Sequence, residues 1–465
     1  MTPARRLVLV AALLSSGHVH AQGVTLPAVE RVELDNGTVV ILHQKKDVPL
    51  IGVQAAIRGG AVADPKDRAG LSSLLAGLLQ KGAGKRDAAE FAETVAAVGG
   101  TLSAAAGLES ITVSAEFLAQ DADLMIELLV DMLRSPALED SELRKLRDRQ
   151  IDLIRAAKDS DLRALSPVYG NSFLFAGHPY GTPVDGSEQS LAAISLTDVR
   201  AYYRDHFGGD RLVIAVAGDF DVAAMLQKLR AGFGDWPAAA AEAVAVPAPA
   251  HASGRRVLLI DKPGATQSYF WIGNAGVGVR YASRAELDIA NTLFGGRFTS
   301  MLMDELRTRT GLTYGASSSL QRNLAGGSVA IVSYTKTATT VEAIDLAVSL
   351  LAKLRDEGVA EEQIASGKNY ILGQFAPRFE TAEQLAAQFA ALEAFGLDES
   401  YINDYGGAVA AADGETIRSI IREVYPSPDD LVFAVIGDAA LIREQLAKYG
   451  PVTEMSITDP RFVPQ

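Results

Sequence analysis

Two side chains in the second half of the sequence have types and a spacing that could serve acyl chemistry. Arg307 and Tyr314 lie seven positions apart in the segment GGRFTSMLMDELRTRTGLTYGASSS (295–319), with Gly311 between them. The pattern predicts a helix with Arg307 near its end, a turn at Gly311, and a strand that carries Tyr314. A guanidinium presents charged donors to a carbonyl, and a phenol can donate to an oxyanion. Residue types alone favour structural roles instead, with Arg307 at a helix C-terminus or paired with Asp304, and Tyr314 as a half-buried strand aromatic.

A second stretch, GLSSLLAGLLQKGAG (70–84), has the pattern of an amphipathic helix that runs into a glycine turn. Its apolar stripe consists of Leu71, Leu74, Leu75, Leu78 and Leu79. The neighbouring face carries only small side chains, at Ser73, Ala76 and Gly77. Glycine in a helix interior costs about 1 kcal/mol relative to alanine, so a poor helix former is tolerated there. Either another element packs closely on this face, or the face lines a space.

The remaining residues that could do chemistry exclude several classes of site. The six histidines are His18, His20, His43, His178, His206 and His251. They contain no pair four residues apart, and the chain has no cysteine, so helical di-histidine and thiolate metal sites are excluded. The Gly-x-Ser-x-Gly pattern of many serine hydrolases is also absent from the sequence. We expect His178 to fix a turn and His206 to belong to a helix end.

Length and charge limit the architecture and the partners. A chain of 465 residues with 48% hydrophobic side chains is long enough for at least two domains. Its 43 basic and 57 acidic residues give a net charge of −14. This acidic excess argues against general binding to nucleic acids or to anionic membranes.

The N-terminus predicts export. Arg5 and Arg6 precede the apolar run 7–14, and residues 19–21 have the character of a signal-peptidase cleavage site. A membrane anchor is the alternative, but the run is shorter than the roughly 20 apolar residues that span a bilayer. We therefore predict a signal peptide at residues 1–21, a mature protein without a membrane span, and a periplasmic location.

An internal repeat organises the rest of the chain. The segment LVIAVAGD (212–219) returns as LVFAVIGD (431–438), and an Ala/Pro-rich stretch at 237–254 separates the two copies. We predict domains at 24–236 and 255–465 with a linker between them. Strands and helices alternate within each domain, and residues 38–60 are predicted to form a hairpin. This alternation predicts an α+β fold. It consists of two homologous domains, each a mostly antiparallel sheet with helices packed on one face.

The stretch at 70–84 resembles the signature helix of the pitrilysin/insulinase family of zinc peptidases, whose inverted motif is Gly-Leu-x-His-x-x-Glu-His-x-x-x-Lys-Gly. The frame of that motif is present at Gly70, Leu71, Lys81 and Gly82. Segments at 175–207 and 261–273 are also similar to the family, so the resemblance covers nearly the whole mature chain.

The zinc-binding side chains of the family motif are missing. Ser73 and Gly77 stand where the resemblance places the two histidine ligands, and Ala76 stands where it places the general-base glutamate. The third ligand of the family, a glutamate from a later helix, corresponds by spacing to Leu153. None of these four side chains binds zinc, so the resemblance implies a degenerate site and no metal or other cofactor in this chain.

The segment that carries Arg307 and Tyr314 is similar to the family's second-domain motif, in which this pair contacts substrate across from the zinc. With the resemblance, a substrate-binding role is favoured over a structural one. The resemblance implies a non-catalytic subunit of a heterodimeric zinc metallopeptidase, arranged like mitochondrial processing peptidase, with zinc in a homologous partner and peptides as substrates. Two alternatives stay open: a stand-alone or homodimeric peptide-binding pseudo-peptidase, and a structural or assembly subunit without a peptidase role.

Overall fold

The computed structural model describes residues 23–464. The predicted signal peptide at 1–21 lies outside these residues. The strands of the first half are β1 (Glu30–Glu33), β2 (Val39–Gln44), β3 (Leu50–Arg58), β4 (Thr101–Ala106), β5 (Ser110–Leu118) and β6 (Leu212–Gly218). Its helices are α1 (Leu71–Leu79), α2 (Ala88–Ala97), α3 (Ala122–Arg134), α4 (Asp140–Ser160), α5 (Leu162–Leu174), α6 (Glu188–Ala193), α7 (Leu196–His206) and α8 (Val222–Phe233).

The second half repeats this composition. Its strands are β7 (Arg256–Asp261), β8 (Gln267–Gly276), β9 (Ala316–Arg322), β10 (Gly327–Lys336), β11 (Val432–Gly437) and β12 (Val452–Ser456). Its helices are α9 (Arg284–Asn291), α10 (Met301–Met303), α11 (Thr340–Glu357), α12 (Glu361–Phe375), α13 (Ala382–Ala394), α14 (Ser400–Asn403), α15 (Tyr405–Ala411), α16 (Gly414–Val424) and α17 (Ala439–Leu446). Wider π-helical turns, Thr292–Gly296 and Asp304–Arg309, continue α9 and α10.

The strands form two mostly antiparallel six-stranded sheets within residues 23–464. The strand order is β1-β2-β6-β3-β5-β4 in the first sheet and β12-β7-β11-β8-β10-β9 in the second. The five strands after the edge strand correspond one to one, and the repeated sequences form the equivalent strands β6 and β11. The prediction of two α+β units related by a repeat is confirmed.

The predicted hairpin at 38–60 is wrong, because β6 lies between β2 and β3 and pairs with both. All seven residues of β6 are buried, so this strand has two apolar faces. A strand of that kind is stable only inside a sheet, where both of its faces are covered. Strand β11 separates β7 from β8 in the same way.

Each half contributes one helix that packs on the sheet of the other half. Helix α5 packs on β8 and β11 of the second sheet, and α13 packs on β3 and β6 of the first sheet. Alternate residues of β6 therefore face two different cores, one with the first-half helices and one with α13. The predicted single helical layer covers one face of each sheet, and the exchanged helix covers the opposite face.

Residues 237–254, the predicted linker, form no helix or strand and contain no buried residue. The division of the chain into domains at this segment stays a prediction. Among the described residues, no helix is both long enough and apolar enough to cross a membrane.

Candidate functional site

Helix α1 is held at its N-terminus by backbone geometry and by one buried carboxylate. Gly70 has a φ of +91°, and a Cβ at this position would lie 2.9 Å from the Cα of Gly186. Only glycine meets both requirements without strain. Asp64 accepts hydrogen bonds from the backbone N–H groups of Gly70 and Ser72, both at 2.9 Å. Burial raises the pKa of the Asp64 carboxyl to about 7, although the hydrogen bonds from Ser72 and Gly70 act to lower it.

The small-residue face of α1 contacts neighbouring elements, and Ser73 and Gly77 on it stay partly exposed. The Ser73 hydroxyl donates to Asp185 Oδ1 at 3.0 Å. Ala76 is buried, and a Cβ on Gly77 would lie 3.2 Å from Cδ1 of Leu146 on helix α4. Of the three positions that correspond to family zinc chemistry, Ser73 therefore contacts a loop carboxylate, Gly77 faces a leucine, and Ala76 is buried. Across residues 23–464, no cluster of three or more histidine, aspartate or glutamate side chains is placed to hold a metal ion.

Leu153 lies on α4, two helical turns beyond Leu146, and its side chain is exposed. It lines a cavity of about 470 Å³ that also reaches Asp185 and the face of α5. The structure thus brings Ser73 and Leu153 to the same region through Asp185, while Leu146 is the α4 residue that meets Gly77. The assignment of Leu153 to the third ligand position stays a prediction.

Arg307 lies in the π-helical turn Asp304–Arg309, and its guanidinium sits 4.7 Å from the centre of the Phe298 ring. This is the geometry of a cation–π contact. The acidic side chains of Asp304 and Glu305 pair with Arg309, at 3.0 and 3.2 Å. The expected alternative, a pairing of Arg307 with Asp304, is therefore not what the structure contains.

Tyr314 has 78% of its surface exposed, so it is not a half-buried strand aromatic. It lies two residues before β9 begins, rather than on the strand as predicted. Gly311, with a φ of +66°, closes the preceding turn by donating its N–H to the Arg307 carbonyl at 3.1 Å. The Gly315 carbonyl accepts from Ser333 at 2.9 Å, which fixes the backbone just after Tyr314. The turn thus holds Arg307 and Tyr314 on one short, well-anchored segment.

The two histidines singled out in the sequence have structural roles. Nδ1 of His178 accepts from the Tyr180 backbone N–H at 3.1 Å, and its Nε2 donates to the Pro247 carbonyl at 3.0 Å. This confirms that His178 fixes its turn. His206 is the last residue of α7 and its ring lies 4.6 Å from that of Tyr202.

The sequence analysis missed three residues of these two regions: Asp64, Asp185 and Phe298. Phe298 carries the best sequence signal, because a large aromatic side chain stands between Arg297 and Thr299 outside any apolar stripe. Its side chain is 67% exposed. Asp185 comes from a loop 112 residues beyond Ser73, so no local pattern marks it. Asp64 lies only six residues before Gly70, and its position at the start of α1 was a local signal that was not used.

Comparison with known proteins places the chain in a family. The model of the insulinase family (peptidase family M16) matches residues 38–183, and the model of the peptidase M16 inactive domain matches residues 193–371. An uncharacterized zinc protease of Mycobacterium leprae is 26% identical over 366 residues, which is 77% of this chain and 81% of that protein. A non-peptidase homologue of Helicobacter pylori is 23% identical over 366 residues, 77% of this chain and 83% of that protein.

A solved structure has the same fold. The crystal structure of a peptidase M16 inactive domain from Pseudomonas fluorescens matches with a TM-score of 0.81 and 19% identity, over 88% of this chain and 98% of that one. At this identity the likeness shows the fold alone. The family matches agree with the absence of zinc-binding side chains from Ser73 and Gly77 of α1. The chain is a non-catalytic, peptidase-like member of the insulinase family, peptidase family M16.

Proposed function

We propose that this protein is the exported, non-catalytic subunit of a heterodimeric zinc metallopeptidase. The observation that carries the proposal is the pair of a half-buried Arg307 and an exposed Tyr314, in a chain whose α1 lacks the zinc-binding side chains of the family. The proposed partner is a homologous chain with the His-x-x-Glu-His motif, and the proposed location is the periplasm.

The pair suits the binding of an extended peptide. The Arg307 guanidinium is oriented by Phe298 and has its acidic neighbours engaged by Arg309, so its donors are available to a substrate carbonyl. The exposed Tyr314 hydroxyl can donate to the oxyanion that develops at the carbonyl under attack. The partner's zinc activates the attacking water when it is bound there. This chain contributes positioning and charge stabilisation.

The proposal is tested by capturing the tagged mature protein from its native cells. We expect a co-purifying chain with the intact zinc motif, and cleavage of a quenched peptide library that a chelator abolishes. Each chain expressed alone is expected to be inactive, and mixing them should restore cleavage. A tagged unrelated periplasmic protein is the control for contaminating peptidases. Cleavage by the partner alone at the rate of the mixture would overturn the proposal.

A stand-alone peptide binder is the second candidate function, and the cavity of about 470 Å³ next to Asp185 and Leu153 favours it. Its volume and largely apolar wall are typical of ligand sites. Capture without a zinc-bearing partner, together with tight peptide binding by the isolated chain, would support this candidate. A stable heterodimer that cleaves nothing would instead support a structural or assembly subunit.

A further inference from the structure

A separate cavity of about 400 Å³ lies between the two halves, and neither Tyr314 nor any residue of α1 lines it. Its charged and titratable lining groups are Arg58, Arg211, Arg280, Glu109 and His206. The rest of the wall includes apolar side chains, among them Val62, Val244, Leu324 and Phe395. Three guanidinium groups therefore meet one carboxylate in a partly apolar space, in a protein whose net charge is −14.

Two of these arginines are held at the C-terminal end of α13. Arg58 donates from Nη2 to the Glu393 carbonyl at 3.1 Å, and Arg280 donates from Nη2 to the Phe395 carbonyl at 2.7 Å. Each contact occupies one nitrogen of a group that has five N–H donors. The Glu393 carboxylate is itself held by Arg31 through two bonds of 2.9 Å and lies 3.9 Å from Arg58. Helix capping therefore leaves donors and positive charge on both side chains.

The third arginine, Arg211, is about nine-tenths buried. Its Nη2 donates to the Ala241 carbonyl at 2.7 Å. Its Nε lies 3.2 Å from Asp210 Oδ2 but is not aligned for a hydrogen bond, so this donor has no partner among the described residues. Burial lowers the pKa of the neighbouring His206, and the charge of Arg211 lowers it too, while Asp205 acts in the opposite direction. A buried guanidinium N–H without a hydrogen-bond partner destabilises the folded state unless another interaction offsets its desolvation.

The lone carboxylate in the wall is already engaged. Glu109 accepts from the Tyr180 hydroxyl at 2.6 Å and from the Leu324 backbone N–H at 3.0 and 3.1 Å. These bonds tie the turn between β4 and β5 to the turn between β9 and β10. Glu109 thus links the two halves. Asp210 lies beside Arg211 and Glu393 beside Arg58, whereas no carboxylate among the described residues lies within 4.0 Å of Arg280.

We propose that this cavity binds a carboxylate carried on a short apolar group. Arginine forks match the planar geometry of a carboxylate, and the apolar wall suits a side chain next to it. A peptide C-terminus and a free aromatic or branched-chain acid both present this chemistry. The site is formed by this chain alone, so it does not depend on the proposed peptidase partner.

The experiment is calorimetric titration of the purified mature protein with N-acetylphenylalanine and with its uncharged amide. We expect the acid to bind and the amide to bind at least about tenfold more weakly, because charge-assisted hydrogen bonds are lost. Arg280→Gln and Arg58→Gln are expected to weaken binding of the acid by about tenfold each. Arg443→Gln, at an exposed arginine bonded to Glu454 outside the cavity, is the matched control and should change nothing.

A second comparison separates the two sources of carboxylate. A pentapeptide that ends in free phenylalanine should bind at least as tightly as the free acid if the cavity takes peptide C-termini, and much more weakly if it takes only small acids. Equal affinity for acid and amide would overturn the proposal. So would the absence of binding by the acid at millimolar concentration, or unchanged affinity in both arginine variants with an unchanged thermal midpoint.

Discussion

The two halves of the molecule differ most in the segments that connect equivalent strands, 59–100 between β3 and β4 and 277–315 between β8 and β9. The first segment forms regular α-helices, and the small-residue face of α1 is covered by Leu146 and Asp185. The second contains two π-helical turns and ends on an exposed tyrosine. The small residues of α1 are explained by these contacts, whereas an exposed Tyr314 adds little to the core. The first segment thus serves packing, and the second presents an aromatic side chain at the surface.

Removing the side-chain donors of the second segment should have the largest effect. In the reconstituted complex, Arg307→Ala and Tyr314→Phe are each expected to lower kcat/KM by about 100-fold or more, because each removes a donor to developing charge. Steady-state kinetics with a quenched peptide measure the loss. Arg443→Ala, at an exposed arginine bonded to Glu454 on a different surface element, is the control and should keep near-normal activity. Unchanged kcat/KM in both test variants would remove the pair from the mechanism.

Raising the pH should lower the free energy of unfolding through Asp64, which lies in the first segment (59–100). The pKa of Asp64 is raised to about 7 in the folded protein, above the value near 4 of an unfolded aspartate, so the folded state binds more protons between these values. Asp64 therefore contributes stability at low pH that is lost as pH rises through about 7. We expect this residue to lower the free energy of unfolding by about 2 to 3 kcal/mol between pH 5 and pH 8.

Urea unfolding at a series of pH values measures that contribution. Asp64→Asn removes the titration, so the difference in unfolding free energy between pH 5 and pH 8 should shrink relative to the parent. Asp123→Asn, at an exposed acid on α3, is the control. If Asp64→Asn leaves the pH profile unchanged, the buried carboxyl does not titrate as described.

Placing a family ligand back on α1 should destabilise the fold. Gly77→His forces Leu146 to move, because even a Cβ there would lie 3.2 Å from its Cδ1, and we expect a loss of about 1 to 3 kcal/mol in unfolding free energy. Gly77→Ala adds only the Cβ, and its better helix propensity should offset the small displacement. Denaturant midpoints compare the two variants. Equal stability of Gly77→His and the parent would show that this face has free space.

The smallest effect is expected at Leu153. Its side chain is 53% exposed, so Leu153→Glu should change the free energy of unfolding by about 0.5 kcal/mol or less. The same measurement on Leu146→Glu provides the contrast, because that leucine packs against Gly77. A large loss in Leu153→Glu would mean that the cavity wall contributes to the core.

The fold class could be predicted from the sequence because the signal was local or repeated. The two copies at 212–219 and 431–438 form equivalent central strands, and the amphipathic helix at 70–84 forms α1. The hairpin at 38–60 was wrong because the strand that intervenes, β6, lies more than 150 residues later in the chain. The exchange of α5 and α13 was not predicted either, because the apolar face of a helix does not indicate which sheet it will cover.

The site was predictable in its residue types and not in its contacts. The loss of ligands at Ser73, Ala76 and Gly77 follows directly from their side chains. The contact of Arg307 with Phe298 and the packing of Leu146 on Gly77 depend on helix geometry and on the relative placement of two helices. The arginine cavity between the halves draws on seven separate segments, so no window of sequence contains it.

The helix exchange has a consequence for how the chain matures. Contacts such as that between Arg58 and Glu393, 335 positions apart, can form only when nearly the whole chain has been made. Until α13 is available, one apolar face of the first sheet lacks its cover, and such non-local contacts make folding slow. The incomplete chain therefore exposes apolar surface, which promotes aggregation. The first sheet therefore gains its full cover only after residues 382–394 have been made.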